Sequence, residues 1–103
     1  MVKSLIARLF SNRPATEPLR FVVYSREGCG CCRKALAVLG EFQSRHRFVV
    51  EEVDVDASPD VRARYGGDVP VVEVGGRVRF RGSINPAMLE RLLKAEASAG
   101  EAG

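Results

Sequence analysis

Three cysteines stand within four positions, Cys29-Gly30-Cys31-Cys32, and the rest of the 103-residue chain has none. A disulfide scaffold distributes an even number of half-cystines along its length, so no such staple holds this fold together. The core must come from burial of apolar side chains, and the length suits one domain able to do this unaided. With 46% hydrophobic and 28% charged residues, the composition is that of an ordinary globular chain. No apolar run approaches the ~20 residues of a membrane span. The formal charge of +3 comes mostly from arginine and is spread along the sequence. It gives only a slight preference for anionic partners, and no nucleic-acid or phosphate-binding motif accompanies it. Clustered thiols of this kind belong to a reactive or metal-binding site, and the expected location is cytoplasmic.

Residues 1–19 differ in character from the remainder of the chain. Val2, Leu5, Ile6, Leu9 and Phe10 fall at helical spacing, with Lys3 and Arg8 between them, and Pro14 and Pro18 break any continuation. The pattern predicts an amphipathic helix and an extended linker. Packing on the domain is the plain reading. Contact with a membrane surface through its basic, apolar face is an alternative. A transit-type peptide is another, because no acidic residue precedes Glu17.

From Arg20 the pattern becomes regular. Phe21-Val22-Val23-Tyr24 reads as a central strand covered on both faces. Cys31–Phe42 reads as a helix with Cys32, Ala35, Leu36, Leu39 and Phe42 on one face. Arg47–Val55 is rich in β-branched residues and reads as a second strand. Ser58 caps a short helix that has Pro59 at its first position and Gly66-Gly67 beyond its end. Val69–Val74 and Arg77–Arg81 read as strands joined by a tight Gly75-Gly76 hairpin. Arg77, Arg79 and Arg81 alternate along the last strand and are expected on one face or edge, as a solvated edge that resists aggregation. Asn85 caps a last helix with Pro86 in its first turn and Met88, Leu89, Leu92 and Leu93 facing inward. The order β-α-β-α-β-β-α predicts an α/β fold with a mixed four-stranded sheet flanked by helices. Its domain spans 20–97, and 98–103 form a flexible tail.

The Cys-x-x-Cys spacing sits where the first strand turns into a helix. There, unpaired backbone N–H groups and the helix dipole favour a thiolate at Cys29. Arg26, Arg33 and Lys34 add positive charge nearby and Glu27 opposes them. Cys32 falls one turn further on, on the buried face. It can close a disulfide with Cys29 while shielded from outside attack. Cys29 is therefore the expected nucleophile and Cys32 the resolving thiol. Cys31 reads as a small apolar residue at an intervening position, with a second resolving role or glutathionylation as alternatives. His46 lies at the far end of the helix, about 20 Å from the cysteines at ~1.5 Å per residue, so no intrachain zinc site is expected.

The strand order, the Cys-x-x-Cys after the first strand and the Val69-Pro70 opening the third resemble glutaredoxins and thioredoxins. More narrowly, Tyr24-Ser25-Arg26-Glu27-Gly28-Cys29-Gly30-Cys31-Cys32, Val53-Asp54-Val55-Asp56 and Tyr65-Gly66-Gly67-Asp68-Val69-Pro70-Val71 resemble short bacterial glutaredoxin-like proteins. The likeness covers about residues 20 to 93. It implies a thioredoxin fold, and a cis Pro70 set against the cysteines. It implies that the Val69 backbone pairs with substrate and that Arg26 meets a glutathione carboxylate. Gly30 and Cys31 would border the substrate, and Gly82 and Ser83 would donate to it. The chain departs from the pattern at Glu27, where a proline is usual, and at Gly30-Cys31, where Pro-Tyr is usual. It departs again at Arg81-Gly82-Ser83-Ile84-Asn85, which lacks the acidic partner of the glutathione turn. The expected activity is thiol–disulfide exchange with a disulfide-containing protein or with glutathione as co-substrate, and no bound cofactor. A metal or iron–sulfur carrier built on Cys29, Cys31 and Cys32, and a non-enzymatic adaptor docking through the N-terminal helix, stay open as alternatives.

Overall fold

The computed structural model describes residues 18–102, and the side chains of 18–96. The helix and linker expected in the N-terminal segment lie outside the described residues. Strand β1 (Leu19–Ser25) leads into helix α1 (Gly30–Phe42), then strand β2 (Phe48–Asp54) and a 3₁₀ turn (Val55–Ala57). Helix α2 (Pro59–Tyr65), strands β3 (Val71–Val74) and β4 (Arg77–Arg81), and helix α3 (Pro86–Ala102) complete the chain. The backbone remains helical as far as Ala102, into the stretch assigned to a tail, where Ala99 is a strong helix former.

The sheet order is β2-β1-β3-β4. β1 and β2 run parallel, from Leu19 opposite Phe48 to Ser25 opposite Asp54. β3 is antiparallel to both β1 and β4. α1 and α3 cover one face. Leu19, Phe21 and Val23 of β1, Ala35, Leu39 and Phe42 of α1, and Leu89, Leu92 and Leu93 of α3 form its core. On the other face Val55, Tyr65 and Val71 form a smaller cluster, with Tyr24, Val61 and Val78 packed against it. β1 is thus fully buried on the α1/α3 face but only partly covered on the other, where Val22 and Tyr24 are half-buried, less than its unbroken apolar run predicts.

Local signals set the element ends. The Ser58 hydroxyl accepts from the Val61 N–H, and the Asn85 side chain accepts from the N–H groups of Ala87 and Met88. Gly75 and Gly76 have φ values of 62° and 84°, the pair of left-handed residues that a type I′ hairpin requires. β3 starts at Val71, two residues later than expected and directly after the cis Val69–Pro70 bond.

Two expectations change: Met88 of α3, expected to face inward, is 50% exposed, and the alternation along β4 is broken. Val72 opposes Phe80 but the adjacent Glu73 opposes Val78, so Arg79 is an extra residue in a bulge. The bulge shifts the alternation: Phe80 joins the α1/α3 core while Val78 joins the α2 cluster. Arg77 is paired with Val74, on the α1/α3 side. Arg81 is paired with Val71, on the α2 side, where its guanidinium lies 5.7 Å from the Tyr65 ring centre. The three arginines therefore share the edge strand but not one face.

Leu39 is fully buried between sheet and helices. Leu39→Ala is expected to cost about 2–5 kcal/mol of unfolding free energy. Urea denaturation measures it, and a loss below ~1 kcal/mol would contradict this placement of the core.

Candidate active site

The chain leaves β1 through a tight turn in which the Cys29 N–H donates to the Arg26 carbonyl at 3.2 Å. Gly28 lies at φ 78°, a left-handed position that suits glycine at the third residue of such a turn. Cys29 then occupies the N-cap of α1 with extended backbone, and its Sγ accepts a hydrogen bond from the Cys32 N–H at 3.2 Å. This sulfur does what a serine or aspartate oxygen does at other helix starts. A donor aimed at Sγ, together with the helix dipole, stabilises a thiolate there more than a thiol.

The two sulfurs sit at disulfide distance, with their Cα atoms 5.3 Å apart. Cys29 is half-buried, whereas Cys32 is 2% exposed. Cys31 is free and exposed, and Gly30 is exposed at the first position of α1. A groove of about 430 Å³ opens beside the pair, between the start of α1 and the carboxyl ends of β1 and β2. Besides both cysteines, Ser25, Arg26, Glu27, Arg33, Leu36, Glu52 and Asp54 line it. The buried Ser25 hydroxyl donates to Glu52 Oε2 at 2.6 Å.

Arg26 is engaged inside the protein. Its Nε and one terminal nitrogen donate to the two oxygens of Asp56 at 2.8 and 3.0 Å, and the other donates to the Gly66 carbonyl at 3.0 Å. The two-point hydrogen bond from Arg26 holds the Asp56 carboxyl below its ordinary value of 3.8 against the opposing effect of desolvation, with the charges of Arg26 and Arg62 assisting. Gly66 is needed for this contact. A Cβ there would stand 2.5 Å from the Arg62 carbonyl oxygen and 3.2 Å from an Arg26 nitrogen. Arg26 thereby joins the turn before Cys29 to the 3₁₀ turn and to the end of α2.

The resemblance-based ligands are placed at the same edge of the sheet, because Val71 of β3 pairs with Tyr24 at the end of β1. Pro70 is buried and cis to Val69. The Val69 backbone lies outside the sheet ladder and makes no hydrogen bond among the described residues. The Gly82 N–H is already occupied, donating to the Pro70 carbonyl at 2.8 Å and the Asp68 carbonyl at 3.1 Å. Ser83 is exposed. Arg81 pairs with Asp68 at 2.9 Å, which ties the Gly82 turn to the cis-proline loop a second time.

Asp56, Gly66, Ser25, Glu52 and Asp54 were not singled out from sequence. Their signals are there in part. Val50, Glu52 and Asp54 fall on one face of β2, so a face that begins apolar ends in carboxylates beside the cysteines. Asp54 accepts from the Asp56 N–H at 2.9 Å, a local turn cap that an Asp-x-Asp pair permits. The partnership of Arg26 with Asp56, 30 positions away, has no local signature. Among the described residues, no three His, Cys, Asp or Glu side chains are placed to hold a metal ion, and no helix is long and apolar enough to cross a membrane.

A mixed sheet of this order, with Cys-x-x-Cys at the start of its first helix and a cis-proline before the neighbouring strand, defines a member of the thioredoxin superfamily. The family model described as a glutaredoxin-like domain (DUF836) matches residues 20–94, and the chain belongs to that family. The solution NMR structure of protein Ne2328 from Nitrosomonas europaea is similar, at 26% identity and a TM-score of 0.68 over 80% of this chain and 96% of that one. The X-ray structure of protein XcR50 from X. campestris has 24% identity and a TM-score of 0.61, covering 73% of this chain and 96% of that one. A mutant thioredoxin from Halobacterium salinarum shares the fold at 19% identity and a TM-score of 0.59, covering 79% and 76%. Among curated proteins, none matches the chain.

Under the site, on the α2 face, Glu73 accepts from the hydroxyls of both tyrosines, Tyr65 at 2.7 Å and Tyr24 at 3.2 Å. The Glu73 hydrogen bond, then burial, raises the Tyr65 hydroxyl above 10.0; burial, then Glu73, raises Tyr24. A raised folded-state value means that this contribution to stability is complete below the unfolded value and is lost as pH climbs through the folded one. The chain has two tyrosines and no tryptophan, so tyrosinate absorbance reports on this pair alone. In native protein both are expected to ionise only above pH 10, later than in urea-unfolded protein. Coincident native and unfolded titrations would contradict the shared Glu73 acceptor.

Proposed function

We propose that this glutaredoxin-like protein is a thiol–disulfide oxidoreductase in which Cys29 is the nucleophile and Cys32 the resolving thiol. The observation that carries this reading is the asymmetry of the pair: a partly accessible sulfur held at a helix N-cap by a backbone donor, and a second sulfur within bonding reach but closed to solvent. The Cys29 thiolate attacks one sulfur of a substrate disulfide, forms a mixed disulfide and expels the other half as a thiolate. Cys32 loses its proton and attacks Cys29, and the second half leaves as a thiolate. Two electrons pass from the protein dithiol to the substrate, and the protein is left with the Cys29–Cys32 disulfide. Two external thiols regenerate the dithiol: the first attacks Cys29 and releases Cys32 as a thiolate, and the second attacks the mixed disulfide, frees Cys29 and leaves with the first as a disulfide.

Arg26 acts here as a positioning residue. It fixes the turn carrying Cys29 against the loop leading to Pro70, and the free Val69 backbone is the edge on which an extended substrate segment pairs. Protein disulfides and glutathione mixed disulfides are the candidate substrates, and no bound cofactor is required for the exchange.

The roles are tested with single variants in a disulfide-reduction assay. Cys29→Ser is expected to fall to background. Cys32→Ser is expected to accumulate a mixed disulfide on Cys29, visible by mass, and Cys31→Ser to retain turnover. Equal activity of the Cys29→Ser and Cys32→Ser proteins would overturn the assignment.

A further inference from the structure

We propose that the site selects disulfides carrying positive charge beside the sulfur, such as those flanked by lysine or arginine in a basic protein segment, over anionic disulfides such as that of glutathione. The inference rests on the exchange reading above and names its substrate class. Two independent observations carry it. First, the cation in the turn before the nucleophile already has a counter-charge: both Asp56 oxygens and the Gly66 carbonyl accept from the three guanidinium nitrogens of Arg26. A substrate carboxylate would meet a guanidinium whose charge Asp56 offsets and whose Nε–H and one N–H on each terminal nitrogen are taken. Second, the groove flanking the cysteines presents three carboxylates, Glu27, Glu52 and Asp54. Arg33 is its only lining cation without an ion pair among the described residues.

The carboxylates of β2 are held in place. Ser25 donates to Glu52, and the Asp56 N–H donates to Asp54, so their charges are fixed near the sulfurs. The balance is negative where the incoming disulfide must lie. A charge about 6 Å from one carboxylate in water changes its encounter with the site about threefold, up for a cation and down for an anion. The chemistry of the step is unaffected: Cys29 forms a bond to one substrate sulfur, the substrate S–S bond breaks, and Cys32 completes the two-electron reduction.

The test uses the reduced full-length chain and three small disulfides: cystamine, a dication; bis(2-hydroxyethyl) disulfide, which is neutral; and 3,3′-dithiodipropionate, a dianion. Each second-order rate constant is divided by that of dithiothreitol with the same disulfide, which removes intrinsic differences in leaving group. At low ionic strength the normalised rate with cystamine is expected to exceed that with dithiodipropionate by about tenfold. The ratio should shrink as salt screens the groove. Glu52→Gln and Asp54→Asn keep their carbonyl acceptors, and each should lower the ratio about three- to tenfold. Glu51→Gln removes the same charge from a side chain paired with Arg20 outside the groove, and should lower it far less. A wild-type ratio near one, a preference for the dianion, or equal effects of Glu51→Gln and Glu52→Gln would overturn the proposal. If none of the three disulfides oxidises the protein, the neutral one included, the exchange reading itself fails and takes this inference with it.

Discussion

A helix begins with more backbone N–H groups than it has acceptors, and here a sulfur takes the place where an acceptor is needed. The Cys29 Sγ caps α1 by accepting from the Cys32 N–H, so one hydrogen bond both starts the helix and favours charge on the thiol. The same geometry sets Cys32 one turn on, facing the core, within bonding reach of the Cys29 sulfur. Structure and reactivity therefore share a single contact. The turn before it, closed from the Cys29 N–H to the Arg26 carbonyl, sets the direction from which the sulfur arrives.

Around that contact, three motifs that resemble glutaredoxin-like proteins act mainly on one another. Arg26 reaches Asp56 and Gly66, Asp54 caps the turn that presents Asp56, and Asp68 meets both Arg81 and the Gly82 N–H. The result is a frame of short polar ties at the sheet edge from which the redox turn and the cis-proline loop both emerge. An isolated, exposed ion pair adds little to global stability. This one is doubly hydrogen-bonded and links the redox turn to two segments distant in sequence, so its value lies in fixing their relative positions. Under the proposed exchange, the Val69 backbone and the carboxylate-lined groove are what a substrate would meet.

Much of this was legible in the sequence because its signals are local. The Gly75-Gly76 pair fixes a hairpin type, Ser58 and Asn85 announce helix starts, and the apolar run at Phe21–Tyr24 announces a central strand. The cysteine spacing placed Cys29 and Cys32 at the start of α1, where their sulfurs lie at disulfide distance. What escaped depends on partners distant in the chain. Arg26 is a free cation until Asp56 is brought to it, and Gly82 has a free donor until the cis-proline loop folds beneath it. The bulge at Arg79 escaped for a different reason. A strict alternation of arginines reads as one face, and only the pairing with Val72 and Glu73 shows where the extra residue falls.

The central claim is that the fold activates Cys29, and the reactivity of that thiol tests it most directly. Reduced native protein is alkylated across a pH series, each cysteine is followed by mass mapping, and the Cys29 profile is compared with that of the same residue in urea-unfolded chain. The account predicts that Cys29 reaches half-maximal reactivity in the native fold at a pH well below the free-thiol value of about 8.5. Native and unfolded profiles that coincide would show that the helix start confers no activation, and would contradict the account.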